Sequence, residues 1–553
     1  MKNPTTEKIA ALQLRVSQVM LDLDAPPEAL LNTLARKLGA DPSALENLQI
    51  LRRSVDARAP RREAPRLSFQ VSVTWNNPPS KLRLKDRDIE ILPPSESPEE
   101  SPPTAARNQS AFTAQPVVIG AGPAGLFAAL LLAEAGAKPL LLERGANAEK
   151  RAQQIVAFWQ DDQLNPESNV LYGEGGAGLF SDGKLTARSK DKPRVRRFLA
   201  ELVRAGAPKE ILVDAHPHVG SDALLRIIPQ LRRRILELGG EIRCETRLDD
   251  IELEDGRLRA IRTGDQTIRT DHVILATGHS ARDVYHLLHA RGVLLEPKPF
   301  AVGLRLELPQ ADIDRAQWGD WAGHPQLGAA SFWLTRREEG SLRACYSFCM
   351  CPGGSVIACA SAPGALTTNG MSGSQRNLPF GNAAFLVPVT PIDYAADLHT
   401  IEDPLAGCLF QERMERRAFE LAGNTYRLPL MRLDDFLAQR PTAELPADRS
   451  CTRAIPADFR ELLPTSLLET LRGTLPKMLA QLHGINPQEV VLYAPETRSS
   501  SPVRITRDDS MQSLSTPGLY PCGEGAGYGG GIVSSALDGM RAAESILAIR
   551  QSG

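Results

Sequence analysis

Hydrophobic positions in the first 77 residues follow two different periods. Leu12, Leu14 and Val16 alternate with polar neighbours, as a half-buried strand requires. After the break at Ala25-Pro26-Pro27 the spacing changes to Leu30, Leu31, Leu34 and Leu38, which predicts an amphipathic helix stopped by Gly39. Pro27 near the helix start and Gly39 after its end fit the asymmetry of helix boundaries. Leu67, Phe69, Val71, Val73 and Trp75 then share one face of a strand, with Ser68, Gln70, Ser72 and Thr74 on the other. Residues 1–77 therefore read as a small α/β domain. From 78 to 115, Pro93, Pro94, Pro98, Pro102 and Pro103 stand among Ser, Glu and Asn, the composition of an extended linker.

Directly after this stretch, Pro116 to Ile119 form a short apolar strand, followed by Gly120-Ala121-Gly122-Pro123-Ala124-Gly125 and a small-residue apolar run to Ala135. A second strand, Leu140 to Leu142, ends in Glu143. The set is a βαβ dinucleotide fingerprint. Gly120 permits the tight turn, Gly122 lets backbone approach a pyrophosphate, and Gly125 allows close packing of helix on strand. The unpaired N–H groups and partial positive charge of the helix N-terminus favour the phosphates. Glu143 is placed to accept hydrogen bonds from an adenosine ribose, where a basic residue would have suggested a 2′-phosphate. The same glycine spacing recurs at Gly173 and Gly525, but neither has the strand, helix and acid around it. The fingerprint alone leaves NAD and FAD both open.

Farther along, Leu224 to Leu238 reads as a helix, Glu241 to Cys244 as a strand, and Asp255-Gly256 as the turn of a hairpin. Thr270 to Leu275 leads into Ala276-Thr277-Gly278. Gly518 to Cys522 is a strand entering Gly523-Glu524, with a helix from about Ile532 to Ile549. These segments resemble the FAD-binding domain of the glutathione-reductase and p-hydroxybenzoate-hydroxylase type. More narrowly, the stretches 169–185, 348–354 and 520–539 look like the bacterial family of FAD-dependent or NAD(FAD)-utilizing dehydrogenases of undetermined substrate.

The resemblance implies non-covalent FAD and a Rossmann-like α/β fold, assembled from 115–290 and 490–553. An α+β substrate or cap domain is then inserted at 291–489, after the small N-terminal α/β domain. It also implies site residues. Gly120, Gly122 and Gly125, with Pro123 and Ala124, would meet the pyrophosphate, and Glu143 with Arg144 the adenosine ribose. Gly176 and Thr277-Gly278 would lie against the cofactor, and Gly523-Glu524 would approach its ribityl and phosphate groups. The helix at Gly531-Ile532 would aim its N-terminus at the pyrimidine edge of the flavin, where a helix dipole favours the negative charge of the reduced ring.

Composition narrows the rest. At 553 residues the chain exceeds one hydrophobic core. Its 42% hydrophobic and 24% charged content is that of a globular protein, and a net charge of -2 argues against a dedicated nucleic-acid or anionic-membrane binder. Arg52, Arg53, Arg58, Arg61, Arg62 and Arg66 could still touch RNA, or form a solvated loop and strand face. Without a membrane-length apolar run or a signal-peptide pattern, the expected location is the cytoplasm, with the 8 cysteines reduced.

Four features keep alternatives open. Gly173 to Lys184 reads as a flavin-contacting loop or a surface lid, with Asp182 and Lys184 orienting a ligand or forming a solvent salt pair. Alternation puts Cys345, Ser347, Cys349 and Cys351 on one strand face, and Tyr346, Phe348 and Met350 on the other, expected to pack on the core. The cysteine face could be packing, cavity lining or redox-active thiols; zinc ligation would need a second paired motif. His279, His216 and His218 could exchange protons or be hydrogen-bonded fixtures, and Trp318, Trp321 and Trp333 are expected in the core of the inserted domain. No catalytic residue and no metal site is assigned.

The expected function is FAD-dependent hydride transfer through flavin N5 on a small molecule. NAD(P)H would be a transient donor, because no second complete fingerprint exists to hold it. A flavin-dependent RNA-modifying enzyme and a non-catalytic flavin-binding regulator are the alternatives.

Overall fold

A computed structural model describes residues 11–58, 63–79, 87–93, 114–186, 189–398 and 403–549. The chain divides into two compact units, the first containing the N-terminal residues together with segments 208–217 and 317–328.

In the first unit, strands β1 (Ala11–Asp22), β2 (Leu45–Asp56), β3 (Arg66–Asn76) and β4 (Ile89–Leu92) form an antiparallel sheet of order β2-β3-β1-β4. Helix α1 (Ala29–Leu38) ends at Gly39, whose φ of 66° is the left-handed value that glycine adopts without steric cost. Its Leu30, Leu34 and Leu38 pack with Leu14, Val16, Phe69, Val71 and Trp75 into one core, as the two periods predict. Strand β4 lies inside the stretch expected to be linker. At only four residues, paired to β1 alone, it is too short to print a periodicity through the surrounding prolines. Pro94, Pro98, Pro102 and Pro103, and likewise Arg61 and Arg62, lie outside the described residues. Of the other arginines, Arg53 pairs with Asp214, Arg58 with Asp56 and Arg66 with Asp22.

The second unit is built on a parallel sheet of order β23-β11-β5-β6-β7, from β5 (Val117–Ile119), β6 (Leu140–Leu142), β7 (Glu241–Arg243), β11 (Val273–Leu275) and β23 (Leu519–Pro521). The residues of β5, β6, β11 and β23 are all buried, as parallel strands covered on both faces must be. A meander of β8 (Asp250–Glu254), β9 (Arg257–Thr263) and β10 (Gln266–Arg269) follows. Its first turn has Asp255 and Gly256 both at positive φ, the hairpin geometry that this dipeptide signals. A two-stranded ladder joins β12 (Leu295–Pro297) to β22 (Val503–Ile505).

The inserted region forms a seven-stranded sheet of order β14-β15-β18-β13-β21-β19-β20. Its strands are β13 (Phe300–Pro309), β14 (Thr335–Arg336), β15 (Cys345–Cys351), β18 (Phe380–Val389), β19 (Leu428–Arg432), β20 (Ala454–Pro456) and β21 (Val491–Glu496), beside the hairpin of β16 (Gly354–Cys359) and β17 (Thr367–Ser372). Strand β21 corrects the expected boundary at 490. It pairs with both β13 and β19, so this sheet runs to Glu496 before the chain returns to β22 and the parallel sheet. The tryptophan expectation also fails: Trp318 and Trp321 are half-buried and Trp333 is 61% exposed.

Helix α2 (Pro123–Glu134) starts at the glycine turn after β5, and the C-terminal helix (Gly531–Ile549) crosses it closely. Small residues allow that approach. A Cβ at Gly539 would stand 2.0 Å from the Ala124 carbonyl oxygen, and one at Gly125 would stand 1.8 Å from the Gly120 oxygen. Gly→Ala inside a helix ordinarily gains about 0.5–1 kcal/mol through backbone entropy. At Gly539 the sign should reverse: Gly539→Ala should lower the melting temperature measured by circular dichroism, and an unchanged or raised value would contradict the close crossing.

Candidate active site

The carboxyl ends of β5, β11 and β23 open on one cavity, where an α/β sheet offers a ligand its crevice. Gly120, Gly122, Pro123 and Ala124 line it after β5, Thr277 and Gly278 after β11, and Gly523 and Glu524 after β23. Glu143 and Arg144 border it at the end of β6, Gly176 on the second glycine loop, and Gly531 and Ile532 at the start of the C-terminal helix. Gly125 is the exception among the expected site residues, since it stands behind the cavity wall against Gly120.

Each wall has a local cause. Gly122 is the N-cap of α2 and Pro123 its first residue, so the N–H groups of Ala124 and Gly125 have no partner within the helix. The Glu143 carboxylate is buried and accepts the N–H groups of Ala121 (2.7 Å) and Gly145 (2.8 Å), one on each oxygen. Each oxygen keeps a further lone pair for a ligand hydroxyl. Arg144 is held by Glu167 and Asp283 and lies over the Tyr172 ring, 4.6 Å from its centroid.

The loop at 173 is anchored by a residue that sequence reasoning missed. Arg151, on helix α3 (Ala148–Asp161), is fully buried. Its Nε donates to the Asn169 carbonyl (2.9 Å) and Nη2 to Val170 (3.0 Å), while Nη1 donates to Glu174 (2.8 Å), Gly176 (2.9 Å) and Gly173 (3.2 Å). Burial pulls its pKa down to about 10, against the nearby carboxylates of Glu143 and Glu174, and it stays charged at neutral pH. Gly173, at φ 124°, leaves room for the arginine stem, which a Cβ would meet at 2.6 Å. No periodicity marks Arg151, because its acceptors are backbone atoms from another segment. Asp182 departs from the solvent-pair alternative. It is 1% exposed and held by Arg376, with Lys184 at 3.6 Å.

The inserted region supplies the remaining wall: Phe348 and Cys349 from β15, Thr368 and Asn369 from the hairpin strand β17, Glu496 at the end of β21 and Arg498 just beyond it. Phe348, expected on the core face, is 37% exposed and lines the cavity. Arg305 spans Glu496 (2.8 and 2.9 Å), Asn382 (2.9 Å) and Asn369 (3.2 Å), fixing this wall from behind. Arg498 holds Glu415 through Nε and Nη2, which leaves its buried Nη1 without a hydrogen-bond partner. His279 Nδ1 is likewise buried and unpartnered. Burial, followed by the cations Arg282, Arg498 and Lys298, holds its imidazole well below the usual histidine range, so it is neutral. His218 contacts the Ser374 carbonyl at 3.2 Å. The glycine cradle, the free amides of α2 and the two orphaned polar atoms fit a large polar cofactor together with a substrate. No helix among the described residues is long and apolar enough to cross a membrane.

Comparison with known proteins agrees with this geometry. Residues 116–347 match the family described as FAD dependent oxidoreductase, 299–499 the C-terminal domain of FAD-dependent proteins, and 13–73 a domain of unknown function. An uncharacterized protein of Clostridium beijerinckii is 40% identical over 545 residues, covering 97% of this chain and 99% of its own. A thiamine thiazole synthase of Aeropyrum pernix is 29% identical over 181 residues, 30% of this chain and 54% of its own. Among solved structures, a Bacillus cereus glycine oxidase covers 79% of this chain and 97% of its own at 13% identity, with a TM-score of 0.30.

Glu524 gives this site a pH dependence. Burial pushes its carboxyl up to about 7, with the Gly531 N–H and Lys298 acting in the opposite direction. A raised folded-state pKa means that the stability contribution is complete below the ordinary value of 4.5 and is lost as pH rises through 7. In flavin-free protein, the melting temperature of the wild type relative to Glu524→Gln should therefore fall across that window. Parallel curves would contradict the burial of this carboxyl.

Proposed function

Because this chain belongs to the FAD-dependent oxidoreductase family, we propose that its FAD lies lengthwise in the single cavity shared by the three glycine groups. In this reading the pyrophosphate meets the Ala124 and Gly125 amides at the start of α2, and the adenosine ribose meets Glu143. The isoalloxazine lies between the 176–178 loop, the start of the C-terminal helix and the wall at Cys349. The observation that carries the reading is that segments distant in sequence, at 120–124, 176–178, 277–278, 523–524 and 531–532, line one cavity. Gly125 contributes its backbone N–H and the close packing behind the turn.

Bound flavin supplies two-electron chemistry through N5. The residues of this chain bind, orient and exclude water around it. The N-terminus of the last helix favours negative charge on the pyrimidine edge. Neutral His279 and the free Nη1 of Arg498 are available to polar atoms of the cofactor or of a small-molecule substrate, and Phe348 offers an apolar cover. NAD(P)H is the proposed donor, reaching the flavin face directly. The pairing of Arg53, Arg58 and Arg66 with carboxylates favours a small molecule over RNA.

Purified protein should be yellow, and anaerobic NADH or NADPH should bleach it. A Cβ at Gly122 would meet only the Gly176 Cα, at 3.7 Å, so Gly122→Leu should fold, fill the cavity and emerge colourless. Flavin retained by folded Gly122→Leu would contradict the placement, and failure of both nucleotides to bleach the wild type would contradict the proposed donor.

A further inference from the structure

Strand β15 breaks its alternation at the cavity wall. Its pairing with β18 runs Tyr346 to Leu386, Ser347 to Phe385 and Phe348 to Ala384, and resumes only at Cys351 to Asn382. Two residues, Cys349 and Met350, thus stand against Ala383 alone, which is a β-bulge. Cys349 has a φ of 44°, a left-handed value that a side-chain-bearing residue adopts at a cost and that concentrates at functional sites.

The bulge has a chemical result. On a regular strand, two cysteines separated by one residue are poorly set to meet. Here the bulge turns the Cys351 thiol back along its own strand, where Sγ donates to the Cys349 carbonyl oxygen at 3.4 Å. Cys349 lines the cavity together with Gly176, Gly178 and Ile532, whereas Cys351 is fully buried behind it. Arg305 Nη1 reaches the Cys349 carbonyl at 3.4 Å.

The other cysteines define the contrast. Burial pushes Cys345 up to about 11, and raises Cys359, Cys408 and Cys522 as well. Cys349 moves the other way: the adjacent Cys351 thiol lowers it against its burial, assisted by Lys184 and Arg305. The same neighbour, followed by burial, holds Cys351 up as the protonated partner. A thiolate beside a thiol, open to a cavity and flanked by cations, is the arrangement of a reactive pair and not of inert packing.

We propose that Cys349 and Cys351 form a second two-electron centre, a dithiol/disulfide couple that exchanges electrons with the flavin. The proposal rests on the isoalloxazine lying against this wall, as argued above. In the oxidising direction the Cys349 thiolate and the Cys351 thiol form one S–S bond, releasing two electrons and the single thiol proton. Oxidised flavin accepts both electrons and that proton, giving the anionic reduced flavin. The reverse step breaks the S–S bond and returns the thiolate and thiol.

The test is an anaerobic dithionite titration of the flavin-loaded full chain, oxidised beforehand with diamide and desalted. Wild type should take up two more electrons per flavin than Cys351→Ser. Mass spectrometry of the digested wild type should show a Cys349–Cys351 bridge before the titration and two free thiols after it. Cys349→Ser is a second variant, with flavin content and melting temperature reported for both. If a variant fails to fold, the bridge in the wild type and its loss on titration still decide. Yellow wild type that shows no bridge, or takes up no more electrons than the folded variants, would overturn the couple while leaving the cofactor placement intact. Colourless protein would overturn both.

Discussion

The shape of the cavity proposed for the cofactor depends on a buried cation that never reaches it. Arg151 donates to five carbonyls between Asn169 and Gly176, converting a glycine-rich segment that would otherwise sample many conformations into a fixed wall. Each hydrogen bond to a charged donor is worth about 1.5–3 kcal/mol, and an unpaired buried guanidinium would be costly. The planar fork of a guanidinium suits this task, with the two N–H groups of Nη1 shared among three carbonyls, and the ammonium of lysine could not reproduce it. The glycines then have a second use. Besides allowing positive φ, their missing side chains give Arg151 its space and keep backbone facing the ligand.

The opposite wall follows similar logic. Arg305 is fully buried and tied to Glu496, Asn382 and Asn369, so β15 and the neighbouring hairpin strand β17 present Cys349, Thr368 and Asn369 from a rigid support. Between the two walls, α2 and the C-terminal helix cross at glycine and alanine. The turn proposed to meet the pyrophosphate and the helix end proposed for the pyrimidine edge are therefore fixed relative to each other by direct backbone contact. An oxidoreductase gains from such stiffness, because a hydride donor must be held close to its acceptor in a defined geometry.

Much of this organisation was legible in the sequence. The βαβ fingerprint, the Asp255-Gly256 hairpin and the final strand and helix were visible because glycine spacing and apolar runs encode local geometry directly. What escaped has its meaning in tertiary contacts. Arg151 looks like any charged residue on a helix until its acceptors arrive from Asn169 to Gly176. Strand β4 is too short to show a period, and β21 reads as readily into one sheet as the other. The bulge at Cys349 is the sharpest case, because strict alternation along β15 puts Phe348 on the core and places the cysteines in a uniform row. Phe348 pairs regularly with Ala384, so alternation assigns its face correctly but not which face looks at the core; the extra residue beyond it ends the uniform row, turning Cys349 to the cavity while Cys351 stays buried.

In the proposed placement one FAD spans the cavity in a fixed direction, with the adenosine end at Glu143 and the reactive ring at the wall formed by Cys349. A crystal structure of the flavin-loaded protein tests it most directly. The pyrophosphate should lie against the Ala124 and Gly125 amides, the ribose on Glu143, and the isoalloxazine between Gly176 and the Gly531-Ile532 helix start with Cys349 beside it. Flavin bound in the reverse direction, or with its ring outside this cavity, would contradict it.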